Sequence, residues 1–330
     1  MKKLVVTVLV CMLVCALGVG CFAACAKDTP QGVTAIYKVM SPDGAPTMAI
    51  AKMMKDNAIF GTAQGEYQII GGDRVASSFT SGEADFIIAP TNAGVQLSVK
   101  TDNYRLVAVT SWGNLYLVGK TDLRTREECA SAQEFMQQFQ GKTVDSIGGK
   151  EQVPGKTFDK LLALSDVNGE VGTKTNDLIL SGLSDGSVEL GILGEPDVTD
   201  AIKNVQGVKR LADISSLWKE VTGLDFPQAA LFVKKSIIEQ DKASVTAFLQ
   251  SLSASIEYLN ASSANAKALG EYLQSTGSSK MTGQKVEDSY LRMRQNFVLA
   301  WGVQADVLQF VTALGVNITQ EKLAQITYQG

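Results

Sequence analysis

The 330-residue chain contains no histidine. That removes the commonest general base, the Ser–His and Cys–His nucleophile pairs and the commonest zinc ligand. Of the cysteines Cys11, Cys15, Cys21, Cys25 and Cys129, only the last lies beyond residue 25, so the body has no internal disulfide. Gly194-Glu195-Pro196-Asp197 puts two carboxylates at a helix start. Glu195 could accept hydrogen bonds from a ligand amine or hydroxyl; with Asp197 it could suggest metal or acid/base chemistry, but two acids without partners are common helix-start residues. Ser146-Ile147-Gly148-Gly149-Lys150 through Gly155-Lys156-Thr157 imitates a phosphate loop, but the first glycine of that motif would have to stand at Lys150. Turnover chemistry is therefore not expected, nor is a cofactor or a metal. The remaining groups are uncharged donors and acceptors gathered at glycine- and proline-marked loops, which suit binding.

Three such loops stand out. Ser41-Pro42-Asp43-Gly44-Ala45-Pro46 joins a strand to a helix: Ser41 or Asp43 can cap, Gly44 permits close backbone approach, and Pro46 suits an early helical position. Ala89-Pro90-Thr91-Asn92-Ala93-Gly94 repeats the arrangement with Thr91 and Asn92 as polar groups. Free N–H groups at helix starts can hold anionic oxygens, and in open α/β sheets ligands bind where such loops converge. Ser111-Trp112-Gly113-Asn114-Leu115-Tyr116 breaks one strand and begins another. Trp112 there is either a pocket wall, with Asn114 as polar anchor, or hinge packing.

The elements that must position these loops alternate. Strands are predicted over 33–39, 67–70, 85–89, 104–110, 115–119, 143–147, 170–173, 188–193 and 229–234. Helices are predicted over 45–57, 74–80, 91–99, 154–164, 176–183 and 196–205. Short β-rich runs separated by helices indicate parallel βαβ units. From residue 236 the chain reads as almost entirely helical. Two α/β blocks and a helical tail suggest two lobes, with the strands at 115–120 and 229–234 placed as crossovers. A composition of 45% hydrophobic and 19% charged residues is globular, and a net charge of −4 lacks the basic footprint that nucleic acid requires.

The amino terminus reads as an export signal. Lys2 and Lys3 precede an apolar run over 4–20, shorter than the roughly 20 residues that span a bilayer core. Phe22-Ala23-Ala24-Cys25 resembles the lipobox of bacterial lipoproteins, which implies a diacylglyceryl anchor (and palmitate) on Cys25, with Cys21 as fallback. Residues 26–32 read as a tether, and the protein is expected on the extracytoplasmic face of a bacterial cell membrane, periplasm-facing in a Gram-negative source.

Taken together, Ser41–Pro46, Ser81-Gly82-Glu83-Ala84-Asp85 with Ala89–Asn92, Gly141-Lys142-Thr143-Val144, Gly194-Glu195-Pro196 and Phe226-Pro227-Gln228 resemble solute-binding proteins of ABC importers. The branch is the one covering nitrate, sulfonate, taurine and thiamine-precursor binders, and the similarity runs over about 33–280. It implies an α/β, two-lobed periplasmic-binding-protein fold (type II, Venus-flytrap) with a helical C-terminal region. It further implies lobe 1 from 33–115 and 229–330, lobe 2 from 116–228, and a monomer that captures a small organic solute and docks to an ABC permease. Carried over by position, the ligand loops are Pro42, Asp43, Gly44 and Ala45, then Thr91 and Asn92, then Trp112, Gly113 and Asn114. The second lobe adds Ser146, Gly148, Gly149 and Glu195, and the return crossover adds Gln228. A ligand-sensing lipoprotein that presents its closed surface to a membrane receptor is the alternative.

Overall fold

A computed structural model describes residues 32–278 and 280–330. The export signal, Cys21, Cys25 and the tether up to residue 31 lie outside the described residues. Among the described residues twelve strands follow in order, β1 (Ala35–Pro42), β2 (Ile59–Phe60), β3 (Ala63–Ile70), β4 (Phe86–Pro90), β5 (Tyr104–Ser111), β6 (Leu115–Gly119), β7 (Thr143–Ile147), β8 (Glu170–Lys174), β9 (Leu190–Gly194), β10 (Lys209–Asp213), β11 (Ala229–Lys234) and β12 (Gln295–Leu299). Between the early strands run helices α1 (Ala45–Met48), α2 (Ala51–Lys55), α3 (Val75–Ser81) and α4 (Thr91–Thr101). The middle of the chain supplies α5 (Ala132–Gln137), α6 (Val153–Leu164), α7 (Asn176–Asp185), α8 (Asp197–Asn204) and α9 (Ile214–Thr222). The C-terminal third adds α10 (Lys235–Gln240), α11 (Lys242–Ala261), α12 (Ser263–Ser275), α13 (Gly283–Ser289), α14 (Gln304–Ala313) and α15 (Gln320–Ile326).

The strands form two sheets, one ordered β12-β5-β11-β4-β1-β3-β2 and the other β10-β6-β9-β7-β8. In the first, β1 is parallel to β3 and β4, while β11 runs antiparallel to β4 and β5. In the second, β7 is parallel to β8 and β9, and β6 runs antiparallel to β9 and β10. The parallel strands of each sheet therefore end on one edge. The two edges meet where the chain crosses over: Ser111 ends β5, and Leu115 begins β6 opposite Gly194, the end of β9. Ala229 begins β11 opposite Pro90 and Ser111. This topology brings the carboxyl ends of both sheets to a shared crossover, the place where an open α/β sheet holds ligands.

Residues 35–330 form one compact unit whose core is aromatic. Phe60, Phe86 and Phe248 join β2, β4 and α11, the Phe60 and Phe248 rings meeting edge to face at 5.0 Å. Phe139 and Phe158 fill the second sheet's side, and Trp218, Phe226 and Phe310 knit α9, the return crossover and α14 together. Each such fully buried ring contributes roughly 2–3 kcal/mol of transfer free energy, so the staple-free body is held by packing. Cys129 is buried and unpaired in a disulfide. Among the described residues no helix is long and apolar enough to cross a membrane.

One expectation is corrected, and two edge strands are added to the pattern. The helix expected over 45–57 is two short helices separated at Ala49 and Ile50. The tail is almost entirely helical as expected, and the one strand among its described residues, β12, pairs with β5 at the first sheet's edge. β10, unforeseen, closes one edge of the second sheet with only Leu211 and Ala212 buried; a strand that is mostly charged and half-wet carries little periodic signal.

Candidate ligand-binding cleft

The loop after β1 is built around Gly44, and Thr47 Oγ1 donates to the Pro42 carbonyl at 2.7 Å and to Ser41 Oγ at 3.2 Å. Asp43 lies half-buried and accepts from Ser278 Oγ at 2.6 Å, so the segment between α12 and α13 reaches this loop. Ala45 is buried at the first turn of α1, directly after Gly44. At the end of β4, the Thr91 N–H donates to the Gln228 carbonyl at 3.0 Å and begins α4. The Thr91 side chain is fully buried, yet its Oγ1 has no hydrogen-bond partner, and neither has the buried Oδ1 of Asn92.

The crossover is a hydrogen-bonded knot. The Asn114 N–H donates to Gln228 Oε1 at 2.9 Å, and Gln228 Nε2 donates to Asn114 Oδ1 at 2.7 Å. The Glu195 N–H donates to the Asn114 carbonyl at 3.1 Å, which ties β9 into the same knot. Gly113 sits at φ 109°, and a Cβ there would stand 2.4 Å from the Ser215 Cβ, so no side chain fits. Trp112 donates from Nε1 to the Asn296 carbonyl at 3.0 Å and packs against the core beside β12. Of the two readings left open for this residue, its contacts are those of crossover packing.

On the second sheet, β7 ends at Ile147, with Ser146 fully buried and its Oγ unpartnered. Gly148 and Gly149 follow at φ 63° and 53°, and Gly155 packs against the Gly149 carbonyl, which seats α6 behind the loop. The start of α7 contributes Asn176, missed in the sequence, whose Nδ2 donates to Asp197 Oδ2 at 2.9 Å while its Oδ1 is buried without a partner. Burial raises the Asp197 carboxyl above its ordinary range, and the Asn176 hydrogen bond only partly opposes this.

Glu195 has a different occupation from the ligand-facing acceptor expected of it. Its side chain is fully buried and accepts from Thr199 N–H at 3.1 Å, Thr199 Oγ1 at 2.8 Å and Arg292 Nε at 2.7 Å, with Arg210 at 3.5 Å. These donors occupy the carboxylate. Around it runs a seam of charge between the 285–294 segment and both α8 and the end of β10: Lys285 with Asp200 at 2.6 Å, Lys203 with Asp288, and Arg294 with Asp213. No local spacing announces these partners, because Arg292 lies 97 positions from Glu195.

Beside the seam opens a cavity of about 600 Å³ lined by Tyr116, Arg210, Asp213, Arg292 and Arg294 among others. Burial pushes the Tyr116 phenol well above its usual range. For Arg294, burial alone lowers the pKa, but the neighbouring Asp213 carboxylate outweighs it and the net shift is upward. Among the described residues no group of three or more Asp, Glu or Cys side chains is placed to hold a metal ion.

No family model matches the chain, and no curated protein matches it. Solved structures do. The crystal structure of an ABC transporter from Parabacteroides distasonis superposes with a TM-score of 0.67 at 19% identity, covering 86% of this chain and 96% of that one. The periplasmic aliphatic sulphonate-binding protein of Escherichia coli gives 0.66 at 14% identity, covering 89% and 92%. The periplasmic nitrate-binding protein of Synechocystis gives 0.62 at 13% identity, covering 89% and 85%. With its two sheets joined at carboxyl-edge crossovers, the chain has the two-lobed α/β periplasmic-binding-protein fold of these ABC-transporter proteins.

Proposed function

We propose that this protein is an extracytoplasmic solute-binding protein that captures a small organic molecule between its two lobes and delivers it to an ABC permease, without turning it over. The lobes divide at Trp112–Asn114 and at the return crossover ending in Gln228, with residues 33–115 and 229–330 in one and 116–228 in the other. The observation that carries the reading is a set of buried oxygens without partners. Thr91 Oγ1 and Asn92 Oδ1 lie at the carboxyl edge of one sheet, Ser146 Oγ and Asn176 Oδ1 at that of the other. A buried acceptor or hydroxyl left unpaired costs about 1–3 kcal/mol, and a bound solute with matching donors removes that cost. The fold shared with solute-binding proteins supports the same reading.

The chain is held at the membrane by lipid on Cys25, with Cys21 as fallback, and works there as a monomer. The expected evidence is a lipid-modified Cys25 peptide in mass spectrometry and release of Cys25→Ser into the soluble fraction; unmodified Cys25 and Cys21 in membrane-associated protein would remove the anchor. A thermal-shift screen against thiamine precursors, flavins, aromatic acids and sulfonates tests the binding claim, since a solute that binds the native state raises the melting temperature by mass action. A melting temperature unmoved by the whole panel counts against it.

A further inference from the structure

We propose that the cavity beside the charged seam is a second binding site, for a small oxyanion (the carboxylate, sulfonate or phosphate group of a small molecule), and that Arg210 is its anchor. None of its lining residues belongs to the loops at 42–45, 91–92, 112–114 or 146–149. Four guanidinium groups line it, on Arg126, Arg210, Arg292 and Arg294. Three of them are engaged. Arg126 donates to Glu220 Oε2 at 2.9 Å and to the Cys129 carbonyl at 2.9 Å. Arg294 pairs with Asp213 and Ser216, and Arg292 with Glu195 and Thr199.

Arg210 is different. It lies 5.0 Å over the Tyr116 ring, and among the described residues its buried Nε has no partner and its one ion pair is a 3.5 Å contact to a Glu195 oxygen that Arg292 already holds at 2.7 Å. One carboxylate thus serves two guanidinium groups, and Arg210 has only the longer share of it. An oxyanion placed there takes charge-assisted hydrogen bonds from a rigid donor fork, the pairing for which arginine is suited. The stacked Tyr116 ring fixes that fork, and the Tyr116 Oη donates to the Arg292 carbonyl at 2.8 Å, so the two arginines are held in register.

The site also spans two parts of the molecule. Tyr116 and Arg210 belong to the β6–β10 pair of the second sheet, whereas Arg292 and Arg294 lead into β12 of the first. An anion bound among them is contacted from both, so it binds the arrangement described here in preference to any arrangement that parts them, and shifts the population accordingly. The remaining lining carboxylate, Glu127, works against the anion.

Purified protein is titrated with inorganic phosphate, citrate and methanesulfonate up to about 10 mM, against chloride at equal ionic strength, with melting temperature as readout. At least one oxyanion is expected to raise the melting temperature where chloride does not. Arg210→Met keeps an apolar stem over Tyr116 but removes the charge, and should weaken that oxyanion about tenfold or more. Glu127→Gln, on the rim, should tighten it, which keeps a reading available where Arg210→Met is poorly folded. Solute binding at the cleft loops should persist in Arg210→Met. A chloride response equal to that of the oxyanions, no response at all, an unchanged affinity in Arg210→Met, or joint loss of solute and oxyanion binding overturns a separate site.

Discussion

Replacing Thr91 by Val separates a hydroxyl kept for a ligand from one kept for the fold. Thr91 is fully buried at the start of α4, its backbone N–H is already bonded to Gln228, and its Oγ1 has no partner. Val has nearly the same shape, so the exchange trades an unpaired hydroxyl for a methyl and leaves no void. A buried hydroxyl without a partner costs about 1–3 kcal/mol, so the unliganded variant should gain about 1 kcal/mol. In a chain of this size that is an increase in melting temperature of about 2 °C. With solute bound the sign reverses, because the lost hydrogen bond removes about 1–1.5 kcal/mol of binding, about a tenfold rise in Kd. Urea unfolding without solute and calorimetric titration with it read the two effects separately. Ser146→Ala tests the other lobe in the same way, with a smaller stability gain because the missing oxygen leaves a small gap. A destabilised Thr91→Val, or one with unchanged affinity for a solute that wild type binds, refutes the reasoning.

Other outcomes follow from the same contacts. Glu195→Ala strands Arg292 and Arg210, whose side chains are 35% and 32% exposed and so partly rehydrate; the expected loss is about 2 kcal/mol in urea unfolding, below the 3–5 of a fully buried pair, and a loss under about 0.5 kcal/mol would mean the seam is not holding. Gly113→Ala forces a side chain into φ 109° and against Ser215, so about 2 kcal/mol or more of stability should go; wild-type stability in that variant would show that the crossover relaxes freely. The Asp197 carboxyl titrates above its ordinary 3.8 in the fold, chiefly through burial. The folded state then holds its proton longer than the unfolded one, so this group's contribution falls as pH rises from about 3.8 through the raised value. Asp197→Asn should therefore be more stable than wild type at neutral pH and equal to it below that window; a variant less stable at neutral pH has lost something other than a desolvated charge.

How far the sequence carried depends on where each signal resides. β4 and β5 are mostly apolar runs, and Pro90, which has no N–H to donate, ends β4 directly before α4, so their punctuation is local. The loops at Asp43, Thr91 and Ser146 were legible as places where a strand ends, although neither Ser41 nor Asp43 caps α1. β10 and β12 escaped because each is an edge strand whose buried face is short. The break at Ala49 and Ile50 escaped because nothing in that apolar run distinguishes one helix from two. For Glu195 the cause is different. Its partners Thr199, Arg210 and Arg292 come together only when α8 meets the 285–294 segment, and no spacing rule links positions so far apart. The arginine-lined cavity is likewise invisible until the two sheets are joined.

The central claim, capture of a small solute between the lobes, is met most directly by native mass spectrometry of the purified protein after exposure to a bacterial metabolite extract. The account predicts a single small-molecule adduct at one per chain, retained by the wild type and depleted in the Thr91→Val, Ser146→Ala double variant. A folded wild type that takes up no adduct from the extract, or one that the double variant takes up equally well, would contradict it.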